Sequence, residues 1–519
     1  MKPKVIIFGV DGGTFNVLAP LLAAGELPHF GRMQAAGAAG ELASVVPPLT
    51  APAWATFQTG LNPGRHGVFD FLAPPRLGYN RRLNNAAALA SVRLFDALTA
   101  AGRTVGAVNV PLTFPPRAVN GFVVPGMLTP AVKPEYFYPP ELVAEMKSWG
   151  EYYIDLNPAF YEEGRDEEFL ADLARVSAAR LNVALRLWET KRPDFFIVVF
   201  TGVDRLMHFF WDRPALVREH YRWLDGALGE FLRRGEREGA TVVVCSDHGF
   251  GPVVAEADLS AHLAAGGWLR LRPRRGPTPR RFMDAVARLD VFGWRKKLPG
   301  RLRDAARGRV MDRLSAFANV DWSRTVAFPG TATQYAFYLN VAGREPEGIV
   351  ARADYARVRE EIIASLDGLH AGLSGRALRR EDVYVGPALD DAPDCYLPLW
   401  EDGVRLAEFS DDPAVAPRRR RPGEHRREGI FFALGPDVRP GAPVANAGLG
   451  DIFPTVMYLM GEAVPVGLDG RVLTELFADE CLRRTPPTYR EYGNATAGGT
   501  AAAEDAAVRE RLRSMGYLG

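Results

Sequence analysis

Cysteine is scarce in this chain: Cys245, Cys395 and Cys481 are the three in 519 residues. They are scattered and odd in number, which excludes a disulfide framework and the paired spacing of a zinc knuckle, and fits a reducing compartment. Long apolar runs are missing too, since no segment approaches the roughly 18 residues of a membrane span. The segment Val5 to Val10 that follows Met1-Lys2-Pro3-Lys4 is too short for a signal-peptide core and has no small-residue cleavage site after it. A cytoplasmic protein is expected. Nor is there an excess of either charge: 63 Lys plus Arg stand against 62 Asp plus Glu. That balance gives no reason to expect a nucleic-acid partner, and leaves any charge signal local. What remains, 47% hydrophobic and 24% charged residues, is the make-up of a globular protein with a large core.

Three apolar segments share one design. Val5-Ile6-Ile7-Phe8-Gly9-Val10 stops at Asp11-Gly12-Gly13; Phe195 to Phe200 leads into Thr201-Gly202-Val203-Asp204; Thr241 to Cys245 leads into Ser246-Asp247-His248-Gly249. Continuous apolar runs that end in turns read as buried strands. Helical stretches, Glu167 to Thr190 and Pro214 to Glu238, separate them, so the fold class is α/β with a mostly parallel central sheet and helices on both faces. Ligands of such sheets gather beyond the carboxyl ends of the strands. Asp11, Asp204 and Asp247-His248 therefore belong to one edge.

The character changes after Pro252. Arg270 to Arg281 is rich in Arg, Pro and Gly, and the stretch to Arg313 is basic, including Val291-Phe292-Gly293-Trp294-Arg295-Lys296-Lys297-Leu298. It reads as a solvated lid that attracts anions, with contact to a lipid surface as the lesser alternative. The expected organisation is a first part of the core at 1–252, an inserted cap at 253–420, completion of the core at 421–480, and a linker with a short terminal helix at 481–519. Arg418 to Pro422 reads as a charged connector, and Gly429 to Leu434 as a further strand.

Hydrolysis of phosphate esters with metal ions needs carboxylate and imidazole ligands on a rigid scaffold with open positions. Asp204 and His208, four apart, fall on one face of a helical turn. Asp247 and His248 are adjacent, which serves at a sharp strand-end turn. Taken singly, each has a plainer reading: Asp11 as a turn residue before Gly-Gly, Asp204 and His208 as a solvated pair, Thr50 as a helix cap. Their concentration at strand ends favours a site.

Taken together, Asp11-Gly12-Gly13, Pro47-Pro48-Leu49-Thr50-Ala51-Pro52-Ala53-Trp54, Thr59-Gly60 with Pro63-Gly64-Arg65-His66-Gly67, Asp204 with His208, Ser246-Asp247-His248-Gly249 and Gly423-Glu424-His425-Arg426 with Gly429-Ile430-Phe431 resemble the type I phosphodiesterase and nucleotide pyrophosphatase branch of the alkaline phosphatase superfamily. Asp321-Trp322 and Asn340 with Gly343 to Gly348 add a likeness to a bacterial and archaeal group described as predicted phosphohydrolases or phosphomutases. The resemblance implies an alkaline-phosphatase-like three-layer sandwich and two divalent metal ions. One is implied on Asp11, Asp247, His248 and the Thr50 oxygen, the other on Asp204, His208 and His425. Zinc is the usual ion, and ligand type admits manganese or iron. Thr50 is the implied nucleophile, in a Pro-rich loop before a helix expected to begin near Pro52, with a phosphothreonine intermediate that water then hydrolyses.

The sequence departs from the branch at Ala53, where an Asn that contacts a phosphate oxygen is usual. Arg65, Arg205, Asn109 or a backbone amide are the candidates to contact phosphate in its place, and His66 is a further substrate-binding candidate that reads otherwise as a loop-ordering residue. The expected function is a phosphohydrolase for small phosphorylated substrates, cleaving diesters or pyrophosphates. The alternatives are a phosphomonoesterase or phosphomutase on the same scaffold, and, from another class, a catalytically silent metal-stabilised binding protein. A sulfatase is disfavoured, because no Cys or Ser in a Cys/Ser-x-Pro-x-Arg context stands around Thr50. The oligomeric state is left open.

Overall fold

The computed structural model describes residues 4–79, 81–272, 317, 319–409, 420–493 and 506–517. The basic stretch from 273 to 313 and most of the linker between 493 and 507 lie outside them. An eight-stranded sheet forms the centre. Its strands are β1 (Val5–Val10), β2 (Ala38–Ala43), β3 (Val105–Val110), β4 (Gly121–Pro125), β5 (Phe195–Phe200), β6 (Thr241–Cys245), β7 (Glu428–Leu434) and β8 (Ala442–Val444). Their spatial order is β8-β2-β7-β6-β1-β5-β3-β4. β1 pairs in parallel with both β5 and β6, and β7 runs antiparallel between β6 and β2.

Why these segments sit at the centre follows from their alternation. Ile6, Phe8, Phe196, Val198, Val242 and Val244 point to one face, where helices Asp166–Lys191 and Pro214–Glu238 bury Val176, Leu187, Leu224 and Phe231. Val5, Ile7, Phe195, Ile197, Val243 and Cys245 point to the other, against helices Thr50–Thr59 and Ile452–Leu459. Both faces are covered, so β1, β5 and β6 are apolar but for Thr241, and each fully buried Val, Ile or Phe contributes about 1.5–3 kcal/mol.

Between 255 and 409 the described residues build a separate core around Phe337, Leu339, Tyr396 and Trp400, with the antiparallel strands Ala327–Pro329 and Ala336–Leu339. No helix among the described residues is long and apolar enough to cross a membrane. The last described helix, Ala506–Ser514, packs Val508 and Leu512, and the turn after it Met515, into the same core as β1 and β5.

Three details go beyond the sequence reading. The helix that carries Thr50 begins at Thr50 itself, two residues before Pro52, because Leu49 takes the extended cap conformation. β7 opposes its neighbour β6, since an apolar run carries no direction. The connector is not uniformly solvated: Arg420 is exposed, whereas Arg421 is buried on the site described next.

Candidate active site

The register of the sheet assembles the site. Val10 lies opposite Phe200 and Gly9 opposite Cys245, so β1, β5 and β6 end level and release Asp11, Thr201 and Ser246 side by side. Helix Gly202–Phe210 starts at once and brings Asp204 and His208 onto one face a turn apart. The turns need glycine. Gly12 has φ +74°, with Asp204 Cα 3.2 Å from where its Cβ would stand, and a Cβ on Gly249 would lie 1.9 Å from Glu428 O. Gly423–Arg426 pairs antiparallel with Gly249–Pro252, placing His425 opposite Phe250. The His425 ring thereby stacks on His248 with centroids 3.7 Å apart.

Asp11, Thr50, Asp204, His208, Asp247, His248 and His425 are all buried. Three groups have donor atoms that lie within 4.8 Å of one another: Asp11, Asp247 and His248; Asp204, His248 and His425; His208, Glu424 and His425. Around His248 Nε2 stand Thr50 Oγ1 at 3.3 Å, Asp247 Oδ2 at 3.4 Å and Asp11 Oδ1 at 3.6 Å. His425 Nε2 lies 3.2 Å from Asp204 Oδ1 and 3.1 Å from His208 Nε2, and the last two are 3.4 Å apart.

Hydrogen bonds aim these atoms inward. Asp247 Oδ1 accepts from the amides of Gly12 and His248 at 3.1 Å each, leaving Oδ2 without a partner. Neither oxygen of Asp11 has one. With Nδ1 of His248 donating to Gly249 O at 3.1 Å and Nδ1 of His425 donating to Pro48 O at 2.8 Å, each ring turns its Nε2 lone pair into the cluster. The Thr50 hydroxyl does not cap its helix: Leu49 is the cap residue and supplies no side-chain bond.

Burial, then the neighbouring Asp247 and Asp204, push the Asp11 carboxyl well above its ordinary range. Burial and Asp204 push Asp247 up to about 7. His208 is lowered to about 4 by burial and then by Arg421, and His248 is pushed well below its usual value by burial and then by His425. Burial opposes the charge on Asp204, yet His208, His425 and Arg205 hold it well below the carboxylate range. Orphaned carboxylate oxygens beside imidazole nitrogens are the donor set of a divalent cation. Two nitrogens on one tetrahedral zinc stand about 3.3 Å apart, close to the His208–His425 separation. The residues fit a divalent metal centre.

Of the other residues singled out in the sequence, Arg205 is at the site: its guanidinium pairs with Asp204 Oδ2 and, at 3.1 Å, with Asp155 Oδ2. Asn109 donates to Val199 O at 2.8 Å and tethers β3 to β5. His66 faces Thr56 Oγ1 at 3.0 Å and accepts from the Val68 amide at 3.1 Å, and burial lowers it to about 3. Arg65 is half exposed and bound by Asp469 at 2.8 Å and Gly467 O at 2.6 Å. Ala53 lies in the apolar core.

Four neighbours were not read from the sequence. Asp155 neutralises Arg205. Arg421 lies 2.7 Å from His208 Nδ1 and 3.4 Å from Glu424 Oε2. Burial opposes the charge of Glu424, and Arg421 with the histidines holds it at about 2. Tyr517, near the chain's end, donates to Asp204 Oδ2 at 3.0 Å. Glu424 had a signal, its place beside His425. Arg421 was hidden in a basic run, and no periodicity leads to Tyr517.

Comparison with known proteins agrees with this geometry. No curated protein matches the sequence. Among solved structures, human ectonucleotide pyrophosphatase / phosphodiesterase 5 is similar with TM-score 0.52 and 14% identity, covering 92% of this chain and 100% of that one. An inactive variant of the murine protein, in complex with AMP, gives 0.53 and 12% over the same shares. Phosphonoacetate hydrolase from Sinorhizobium meliloti 1021, in complex with phosphonoformate, gives 0.56 and 18%, covering 88% of this chain and 95% of that one. These likenesses establish the fold, a mixed α/β architecture around a mostly parallel sheet that the chain shares with those structures. The family described as type I phosphodiesterase / nucleotide pyrophosphatase matches residues 5–408, and the chain, a phosphoester hydrolase by that match, belongs to it.

Proposed function

We propose that this chain is a two-metal phosphohydrolase that cleaves phosphate diesters or pyrophosphates through a phosphothreonine intermediate at Thr50. The observation that carries the reading is the Thr50 hydroxyl, buried, unused as a helix cap and 3.3 Å from His248 Nε2 beside the unpartnered oxygens of Asp11 and Asp247. Asp11, Asp247, His248 and Thr50 would hold one divalent ion, and Asp204, His208 and His425 the other. Zinc suits this mixed set, and manganese or iron also match it by ligand type. Bound there, such ions lower the pKa of a coordinated hydroxyl and neutralise charge on the transferred phosphoryl group.

The chain's own residues do the rest. Thr50 oxygen attacks phosphorus in line, forming the Thr50 O–P bond as the bond to the leaving oxygen breaks. Water then attacks from the opposite side, and the Thr50 oxygen leaves. As the first two residues of the helix, Thr50 and Ala51 have amides without intrahelical acceptors, a setting that favours a phosphate oxygen and offsets Ala53. Asp247, tied by two amides, and His425, tied to Pro48 O, are held in orientation throughout.

Charge supports a diester. Two divalent ions bring four positive charges, and Asp11, Asp204, Asp247 and a Thr50 alkoxide bring four negative ones. The nearby guanidinium of Arg205 is balanced by Asp155, and Arg65 by Asp469. A monoester dianion finds no spare cation in either, whereas a monoanion suits the balance. The AMP held by the murine relative supports a small nucleotide as substrate.

The test is kcat/KM for bis(p-nitrophenyl) phosphate against p-nitrophenyl phosphate on one zinc-loaded preparation, with Thr50→Ala alongside. The diester should be the faster substrate, and Thr50→Ala should lose at least about 10³-fold on it while keeping its metal. Faster monoester turnover would overturn the diesterase reading. A Thr50→Ala rate within a few-fold of wild type would show direct attack by water.

A further inference from the structure

We propose that Tyr517 is a positioning residue of the second metal group, so that the C-terminal segment 506–517 is part of the hydrolytic site. This rests on the two-metal reading above.

The Asp204 carboxylate divides its work between its oxygens. Oδ1 faces His425 Nε2 at 3.2 Å and His208 Nε2 at 3.4 Å, the place for an ion. Oδ2 points away and is held by two donors, the Arg205 guanidinium and the Tyr517 hydroxyl at 3.0 Å. Tyr517 also lies 3.4 Å from His208 Nε2 and accepts from Arg205 Nη1 at 3.3 Å. One phenol therefore touches two of the three proposed ligands and the cation that flanks them. Donors on the outer oxygen fix which oxygen a metal meets and tune its basicity.

The phenol is seated as deliberately as the ligands. Its ring packs on Phe71 with centroids 4.9 Å apart, and Val508, Leu512 and Met515 anchor the preceding helix in the core. Arg511 donates to Thr129 O at 3.2 Å, and Arg421, itself against His208, donates to Gly516 O at 3.0 Å. Gly516 has φ +75°, and its Cβ would lie 2.1 Å from Arg421 Nη1. The turn that presents Tyr517 thus requires glycine. Arg421 fastens that turn to the same imidazole that the phenol approaches.

The experiment uses the full chain as wild type, Tyr517→Phe and Gly516→Ala, with Asp204→Asn as reference. Zinc affinity is measured by competition with a chromophoric chelator, and the visible spectrum of the cobalt-loaded protein and the melting temperature of each variant are recorded. Tyr517→Phe should weaken one of two ions about tenfold or more and leave the other unchanged. It should shift the cobalt spectrum, lower kcat more than it raises KM, and leave the melting temperature of the metal-free chain near wild type. Gly516→Ala should weaken the same ion, which is the one Asp204→Asn loses. Two wild-type ions with affinities unaltered by Tyr517→Phe would overturn this inference alone. Equal weakening of both ions with a lowered melting temperature would reduce Tyr517 to a packing role, and faster turnover in either tail variant would make the tail an obstruction. Fewer than two ions in wild type would remove the parent reading and this one with it.

Discussion

Two buried aspartates in this molecule are in opposite conditions. Asp394, in the core built between 255 and 409, accepts from Arg344 at 2.7 and 2.6 Å, from the Tyr355 hydroxyl at 2.7 Å and from the Leu339 amide at 2.6 Å. Burial opposes its charge, but Arg344 and Arg380 hold its carboxyl below the usual range. Asp11, equally buried at the end of β1, has a partner for neither oxygen, and its carboxyl is pushed upward by burial and by two more aspartates. One is satisfied by side chains and an amide of the chain, and the other has no hydrogen-bond partner. A buried carboxylate without a donor costs several kcal/mol, so the contrast marks where a cation belongs.

The strongest way to break the comparison is to remove each carboxylate in turn. Asp394→Ala removes the buried acceptor of both Arg344 terminal nitrogens, of Tyr355 and of the Leu339 amide, leaving Glu345 as Arg344's carboxylate partner, and should cost about 3–5 kcal/mol in urea unfolding. Asp11→Asn should leave the metal-free chain no less stable than wild type, because it relieves repulsion, while abolishing one ion and the activity. Equal destabilisation by both changes would erase the distinction.

A smaller effect sharpens it through pH. Asp247 is raised from 3.8 to about 7 and Asp11 is raised as well, so in the metal-free chain the native state binds more protons than the unfolded one across that interval. The contribution is fully present below about pH 4, and stability falls as pH rises toward 7. Chelation should therefore destabilise most near pH 7 and least near pH 4.5, followed by thermal melting with and without chelator. A chelation effect independent of pH would contradict the charges assigned to Asp11 and Asp247.

The smallest expected effect is that of Arg65→Ala. Arg65 and Asp469 form a half-exposed pair, worth about 0–1 kcal/mol, and reach none of the Asp/His cluster. Diester kcat/KM should stay within about threefold of wild type. A larger loss would place Arg65 on the substrate and return the dianion to consideration.

What the sequence made legible follows the same division. Asp11, Asp204, Asp247 and His248 stand where apolar runs give way to glycine turns, a local pattern that states both strand and edge, and the β1, β5 and β6 register joins them. The helices flanking β5 were legible because their 3.6-residue patterns are long. The direction of β7 was not, since an apolar run reads alike in either sense. Arg421 and Arg420 are neighbours in one basic run, and only tertiary packing buries one of them. Tyr517 lies 313 positions after Asp204 in the sequence, and nothing beside it there announces that partner. Asp394 carries no motif, because its partners come from separate turns of the core between 255 and 409.

The most direct test of the account is the metal content of the chain, purified without added metal and assayed by elemental analysis for wild type, Asp204→Ala and His425→Ala. Close to two transition-metal ions per wild-type chain, mostly zinc, and close to one in each variant is the predicted result. Wild-type content near zero, or content unchanged by both substitutions, would contradict it.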